Sequence, residues 1–454
     1  MKKPIILFVA SIFLLFNKVY AQDKFTLEQC VSYALEHNLN IKQAKYTQAI
    51  SEVNYSQSKL NLAPTVNANI SQYNNFGRSV NQVTYAYSNN TTNNLNYGAG
   101  ANWEIFGGLQ RLNQLKQTKF TLMADQTYVE KIKQDVSLNV VNQFLLTMFG
   151  EEQVNNLTNQ LKVSQEQLAI AKKKADVGTI TEADYLQFKA QVANDETNLT
   201  SAQNQLEIAS LELKQLLNLE PQQTFGIIRP SDAAMVEASK SAYEAVYVYN
   251  EALKINPSIK VAEYQSLASE RAVSVAKGAF YPSLNLSANV GSYYSWNYYL
   301  PVDPANPNGP DYRPTFKDQY NTFLGKSINL SLNIPIFNGL QSRNSVKKAK
   351  ISYENTKASE VLAKNQLNKT IAQSVADLKA AEKKYASAQI SFESLKKAYE
   401  FSQKRFDVGL INSLDLNIAK TNYSKAESEA LQAKYDMVFK SKVIDYYLGK
   451  PLTL

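Results

Sequence analysis

After Pro282 the chain alternates between apolar and polar residues. Leu284, Leu286, Ala288 and Val290 fall on one side, continued by Tyr294, Trp296 and Tyr298, while Ser283, Asn285, Ser287 and Asn289 fall on the other. A period of two is the signature of a strand with one apolar face, and proline suits a strand's first position. The segment after Pro64 repeats the pattern, with Val66, Ala68 and Ile70 against Asn67, Asn69 and Ser71. Each strand has a return partner. One sets Leu95, Tyr97, Ala99, Ala101, Trp103 and Ile105 against Asn96, Gly98, Gly100 and Asn102. The other sets Ile328, Leu330, Leu332 and Ile334 against Ser327, Asn329, Ser331 and Asn333. The pattern predicts strand pairs at 64–76 with 95–107 and at 282–299 with 320–338.

Strands of this length cross a bilayer when tilted, and apolar-out, polar-in alternation marks a transmembrane barrel. On that reading Asn67, Asn69, Asn285 and Asn289 line a lumen, and Tyr293, Tyr294, Trp296 and Tyr298 form an interfacial aromatic girdle. A soluble sheet would carry more Lys, Glu and Thr on its wet face than the Asn and Ser found here. Four strands are too few for a bacterial barrel, whose minimum is about eight, and unpaired edges are not tolerated in hydrocarbon. The strands must be pooled between subunits.

A different period takes over after each strand pair. From Leu109 to Ala175 and from Gln341 to Phe406 there is no Pro, and the only Gly is Gly150. Val136, Val140, Phe144 and Met148 recur at helical spacing, as do Leu367, Ile371, Val375 and Leu378. At ~1.5 Å per residue such helices reach on the order of 100 Å, which implies coiled-coil packing. A shorter return helix follows each, over 182–217 and 414–448, and a helix precedes each strand pair, at about 31–62 and around 252–279.

The two halves repeat each other. Asp176-Val177-Gly178 recurs as Asp407-Val408-Gly409, and Gly108-Leu109-Gln110 as Gly339-Leu340-Gln341, while Pro64 maps to Pro282. The predicted organisation is a first repeat at 22–218, a linker at 219–240 and a second repeat at 241–454. The fold class is α+β and internally duplicated. Long antiparallel helices form an α-barrel, and four strands per chain join a shared β-barrel.

Composition narrows the function. Lys2 and Lys3 precede the apolar run Ile5–Phe16, and Val19-Tyr20-Ala21 offers a cleavage site, so residues 1–21 read as a secretory signal. Removing them takes the net charge from +8 to +5, because Lys2, Lys3 and Lys18 leave with no acidic residue. The remaining lysines alternate with acids, unlike the basic stripe of a nucleic-acid binder. One Cys and one His, Cys30 and His37, build neither a disulfide framework nor a histidine metal site. No phosphate loop or catalytic triad appears, so neither enzyme activity nor a cofactor is expected.

The duplicated order of helix, strands, helix, turn and helix resembles the TolC family of outer-membrane efflux and secretion ducts. Phe337-Asn338-Gly339 and Arg405-Phe406-Asp407-Val408-Gly409, followed by Leu414-Asp415, add to the likeness. The resemblance implies a homotrimer with a twelve-strand barrel set in outer-membrane lipid and an α-helical tunnel through the periplasm. It also implies a periplasmic adaptor and an inner-membrane pump as partners. Carried over by position, the turns Val177-Gly178-Thr179 and Val408-Gly409-Leu410 meet the adaptor, and Asp184 and Asp415 narrow the periplasmic entrance. Ile418 occupies the family's second acidic position, and Phe406 lacks the hydroxyl of the tyrosine often found there. Asp184 and Asp415 also stand at helix-capping distance from Thr181 and Asn412, so cap and gate are both open roles. The alternative function is a periplasmic adaptor, which also carries a long helical hairpin.

Overall fold

The computed structural model describes residues 24–80, 87–89, 91–231, 235–236, 243–306 and 309–454. The signal segment, and linker residues 232–234 and 237–240, lie outside them. Helices α1 (Leu27–His37) and α2 (Leu39–Leu60) lead into strands β2 (Thr65–Asn75) and β5 (Thr92–Gly107), then α3 (Gln110–Asp176) and α4 (Glu182–Leu216). Helices α5 (Ala245–Ile255) and α6 (Pro257–Gly278) lead into β7 (Ser283–Ser295) and β10 (Gly325–Asn333), then α8 (Gln341–Asp407) and α9 (Ser413–Tyr447). Corresponding helices are equal in length, at 11, 22, 67 and 35 residues. Short strands β1 (Lys24–Phe25) and β6 (Gly226–Ile227) pair in parallel, and β3 (Arg78–Val80) with β4 (Tyr87–Asn89) and β8 (Leu300–Pro301) with β9 (Asp311–Tyr312) form small antiparallel ribbons. Helix α7 (Phe316–Phe323) precedes β10. Among the described residues no helix is apolar and long enough to cross a membrane.

The chain divides into two compact units. One comprises Gln48–Asp125 and Ala262–Glu360, the other Met1–Thr47, Gln126–Val261 and Val361–Leu454. The first holds an antiparallel sheet in the order β2-β5-β7-β10, with β2 and β10 as open edges. Its register joins the four alternating patterns. Val66, Ala101, Ala288 and Ile328 form one rank, and Ala68, Ala99, Val290 and Lys326 the next. Asn67, Gly100, Asn289 and Ser327 share the opposite face with Asn69 and Asn285. A bulge near Ile105 sets Phe106 opposite Leu284, so Phe106 joins the apolar face where the strand meets its helix. Each handover to a long helix uses two consecutive left-handed residues, Gly108-Leu109 and Gly339-Leu340, with φ of 61°, 62°, 62° and 63°.

Three expectations change here. The strand from 282 ends at Ser295, so Trp296 and Tyr298 lie beyond it, and its partner starts at Gly325 rather than 320. Residues 320–323 belong to α7, which opens with a capping box between Thr315 and Asp318. The aromatic cluster is also split by the pleat: Tyr294 shares the face of Leu95, whereas Tyr293 sits opposite Asn96 on the polar face, where its ring stacks on Phe323 at 4.0 Å. Finally, the helices before the strands are interrupted at Asn38 and Asn256. Both adopt extended backbone, and their side chains accept from the N–H of Asn40 and Ser258, so each restarts the following helix.

Helix α7 stands beside β7 where a strand would continue. Gln319, fully buried, supplies what that strand would have given. Its Oε1 accepts from Ser295 N–H at 2.8 Å, and its Nε2 donates to the Ser295 carbonyl at 3.2 Å and to the Pro314 carbonyl at 3.1 Å. Gln319→Leu keeps the volume but leaves these groups unpaired, at about 1–3 kcal/mol for each buried group. Thermal unfolding should place both Gln319→Leu and Gln319→Glu below wild type, because a buried carboxylate would face the two carbonyl oxygens with no proton to donate. Equal stability of all three would remove this role.

In the helical unit the helical periodicity becomes core. Val136, Val140, Phe144 and Met148 pack with Cys30, Ala34, Leu213 and Val438. Leu367, Ile371, Val375 and Leu378 pack with Val248, Ala252 and Ile444. His37 is exposed and stacks on Tyr33.

Candidate functional site

The two tight turns belong to the helical unit. A helix leaves its last carbonyls without partners, and both long helices solve this identically. Thr179 N–H donates to the Lys174 carbonyl at 2.8 Å and Gly178 N–H to that of Ala175 at 2.9 Å. Leu410 N–H donates to the Arg405 carbonyl at 2.8 Å and Gly409 N–H to that of Phe406 at 3.0 Å. This is the Schellman arrangement, which needs a left-handed residue. Gly178 and Gly409 supply φ of 74° and 76°. A Cβ on either would meet no atom within 4 Å, so backbone conformation alone demands glycine. The turns present apolar side chains to solvent, with Val177 at 73%, Val408 at 70% and Leu410 at 69% exposure.

The return helices start with side-chain caps. Thr181 Oγ1 accepts from Asp184 N–H at 3.1 Å and donates to Asp184 Oδ2 at 2.7 Å. Asn412 Oδ1 accepts from Asp415 N–H at 2.8 Å. Beyond this the two acids differ. Buried Ser413, from the second hairpin, donates through Oγ to Asp184 Oδ1 and lies 3.0 Å from Gln187 Oε1. The Ser413 and Thr181 hydroxyls hold the Asp184 carboxyl below its ordinary value. Such a group contributes stability above its unfolded pKa, lost as pH falls through the lowered folded value, so the tie is complete at neutral pH. Asp415 is exposed, and among the described residues its carboxylate has no hydrogen-bond or ion-pair partner.

Sequence reasoning pairs Asp184 with Asp415 and misses Ser413, which reads only as the residue after a cap. Phe406, without a hydroxyl, fills space instead. Its ring meets Phe188 at 5.6 Å, and Lys174 stands 5.4 Å above it. Below this layer Gln167 Nε2 donates to Tyr399 Oη at 3.1 Å, and Tyr399 stacks on Tyr423. Deeper still, Lys420 donates to Asp195 Oδ2 at 2.9 Å and to Ser164 Oγ, with side-chain exposures of 3% and 7% for Lys420 and Asp195. Gln191 Nε2 donates to the other Asp195 oxygen at 2.8 Å. This buried cluster ties α3, α4 and α9 together and was not evident in the sequence. Among the described residues no three His, Cys, Asp or Glu side chains gather to hold a metal.

Amphipathic strands and paired helical hairpins in this order are the fold of outer-membrane channel proteins. The CmeC outer membrane channel of Campylobacter jejuni aligns with a TM-score of 0.77 at 19% identity, covering 93% of this chain and 85% of that one. The outer membrane protein VceC of Vibrio cholerae aligns at 0.74 and 16% identity, covering 94% and 96%. The chain belongs to the outer membrane efflux protein family, whose model matches residues 30–219 and 248–450. Among its relatives, the probable efflux pump outer membrane protein TtgC of Pseudomonas putida is 23% identical over 421 residues, covering 88% of this chain and 78% of the relative. The protein is therefore an outer-membrane efflux channel protein of TolC-like type, which displaces the periplasmic adaptor reading.

Proposed function

We propose that the protein is the exit duct of a tripartite efflux or secretion assembly, passing substrates that an inner-membrane pump delivers through a periplasmic adaptor. Three copies pool their sheets into a twelve-strand barrel, with Asn67, Asn69, Asn285 and Asn289 toward the lumen. Tyr294 and Trp296 belong to the outer girdle. Helical hairpins from the three copies form the periplasmic tunnel. The observation that carries this reading is the sheet itself: one continuous apolar face with open edges at β2 and β10. Open edges are not viable in hydrocarbon, so other copies must pair with them. Equal helix lengths in the two halves, and two separate stretches of family match, support an internally duplicated chain.

The turns Val177-Gly178-Thr179 and Val408-Gly409-Leu410 are the adaptor contacts in this proposal, because each holds apolar side chains outward on a fixed backbone. Mass measurement of the detergent-solubilised protein should give a trimer. Gly409→Val should keep that mass while lowering export, since valine disfavours the left-handed conformation by about 1–2 kcal/mol. A stable monomer without detergent would refute the duct, and full export by Gly409→Val would refute the turn's part in docking.

The acids divide their roles. Asp415, with an unengaged carboxylate, forms the charged ring at the periplasmic mouth, and Asp184 locks the two hairpins through Ser413. Asp415→Asn should weaken cation selectivity in single-channel recordings. Asp184→Asn should instead raise the frequency of open events, and Ser413→Ala should reproduce it. Identical behaviour of Asp184→Asn and Asp415→Asn would erase this distinction.

A further inference from the structure

The apolar face of the sheet is uneven. Alanines at 68, 99, 101 and 288 occupy its middle ranks, with Val66 and Ile328 at the ends of one rank and Lys326 at the end of the next. The short side chains leave a trough of about 630 Å³ that reaches Lys326. That volume lies within the range of small-ligand sites, roughly 300–1,000 Å³. Its lining is mainly hydrocarbon, with Asn289 and Ser327 the uncharged polar members and Lys326 the only ionisable one.

Lys326 does not fit a plain lipid-facing strand. Ile328, Leu330 and Leu332 follow it on this face, and among the described residues its ammonium has no hydrogen-bond or ion-pair partner. A bare charge costs least near a headgroup. Lys326 sits opposite Val290, seven residues from the start of β7 at Ser283. At ~3.4 Å per residue and ~40° tilt that is roughly 18 Å toward the outer surface, within a lysine stem's reach of the interface. A second cation marks the rim of the same face. Arg313 donates to Tyr299 Oη at 2.6 Å and lies 5.2 Å from that ring's centroid, with the Tyr294 hydroxyl close by.

We propose that this face binds a phosphorylated acyl-glycolipid of the outer leaflet. One acyl chain lies in the trough over Ala99, Ala101 and Ala288, the phosphate meets Lys326, and Arg313 makes a second headgroup contact. The charge is complementary, and a hydrocarbon groove ending in an unpaired ammonium matches an acylated anion. The proposal rests on this face being the one that meets lipid.

The test uses the full protein in mild detergent, titrated with monophosphorylated lipid A or its dephosphorylated form and followed by native mass spectrometry. Lys326→Gln should need about tenfold more of the phosphorylated lipid for equal occupancy, the loss of one charge-assisted contact, with no change for the dephosphorylated form. Ala288→Phe, which fills the trough, should weaken retention of both. Equal retention of the phosphorylated lipid by wild type and Lys326→Gln overturns the site. A spin label on Lys326→Cys checks the face independently. Native Cys30 stays silent because burial, with Glu28 nearby, pushes its thiol up to about 12, and a protonated thiol reacts slowly. Relaxation by oxygen and not by a water-soluble nickel chelate is expected. Relaxation by the chelate would overturn the face assignment and this site together, whereas oxygen access with unchanged lipid retention overturns the site alone.

Discussion

Asp195→Ala is expected to destabilise the helical unit by about 3–5 kcal/mol, the cost of leaving a buried charge without its partner. Lys420 is 2% exposed, and its ammonium faces Asp195 and Ser164. Removing the carboxylate strands that ammonium and also frees the Gln191 amide. Thermal unfolding in detergent measures the loss. The double variant Asp195→Leu with Lys420→Met should recover most of it, because apolar side chains of similar size replace a buried ion pair with little penalty. A surface pair gives the contrast. Lys425 and Glu429 are 4.0 Å apart with side chains 74% and 58% exposed, and Lys425→Ala should change stability by under about 1 kcal/mol. If Asp195→Ala behaved like Lys425→Ala, the cluster would have no part in holding α3, α4 and α9 together.

Leu286→Arg should cost about 2–4 kcal/mol per copy in barrel stability, the penalty for a guanidinium on the lipid face at mid-membrane. The register puts Leu286 between Trp103 and Leu330 on the apolar face. Its neighbour Asn285 lies between Glu104 and Ser331 on the other face, where Glu104 already pairs with Arg111 at 3.3 Å. Asn285→Arg should therefore assemble normally and alter conductance. Assembly yield and single-channel recordings of the two variants separate these outcomes. Comparable assembly defects in both would mean that the lipid and lumen faces are wrongly assigned.

Much of the architecture was legible because it is written locally. The long helices declare themselves by an apolar period and the near absence of Gly and Pro, and their predicted interiors, Val136 to Met148 and Leu367 to Leu378, are core. Gly178 and Gly409 were readable as helix ends because only a left-handed residue closes that turn. Helix α7 is not legible in the sequence because Phe316, Tyr320 and Phe323 are interspersed among polar residues that straddle the end of the expected loop and the start of the expected strand at 320. The Thr315–Asp318 capping spacing was the available signal. The breaks at Asn38 and Asn256 were also missed, since a single Asn is weak evidence against a helix.

The sequence by itself determined the long helices, the apolar and polar faces of the paired strands and the two turn glycines, because each depends on the period or the φ preference of neighbouring residues. Tertiary structure decided which distant groups meet. Ser413 reaches Asp184 across a sequence separation of 229 residues, Lys420 reaches Asp195 across 225, and Gln319 completes the edge of β7 at Ser295. Local periodicity carries no information about such pairings. They exist because packing removes water from polar groups that must then find one another, and only the folded chain fixes which partner lies within hydrogen-bond reach.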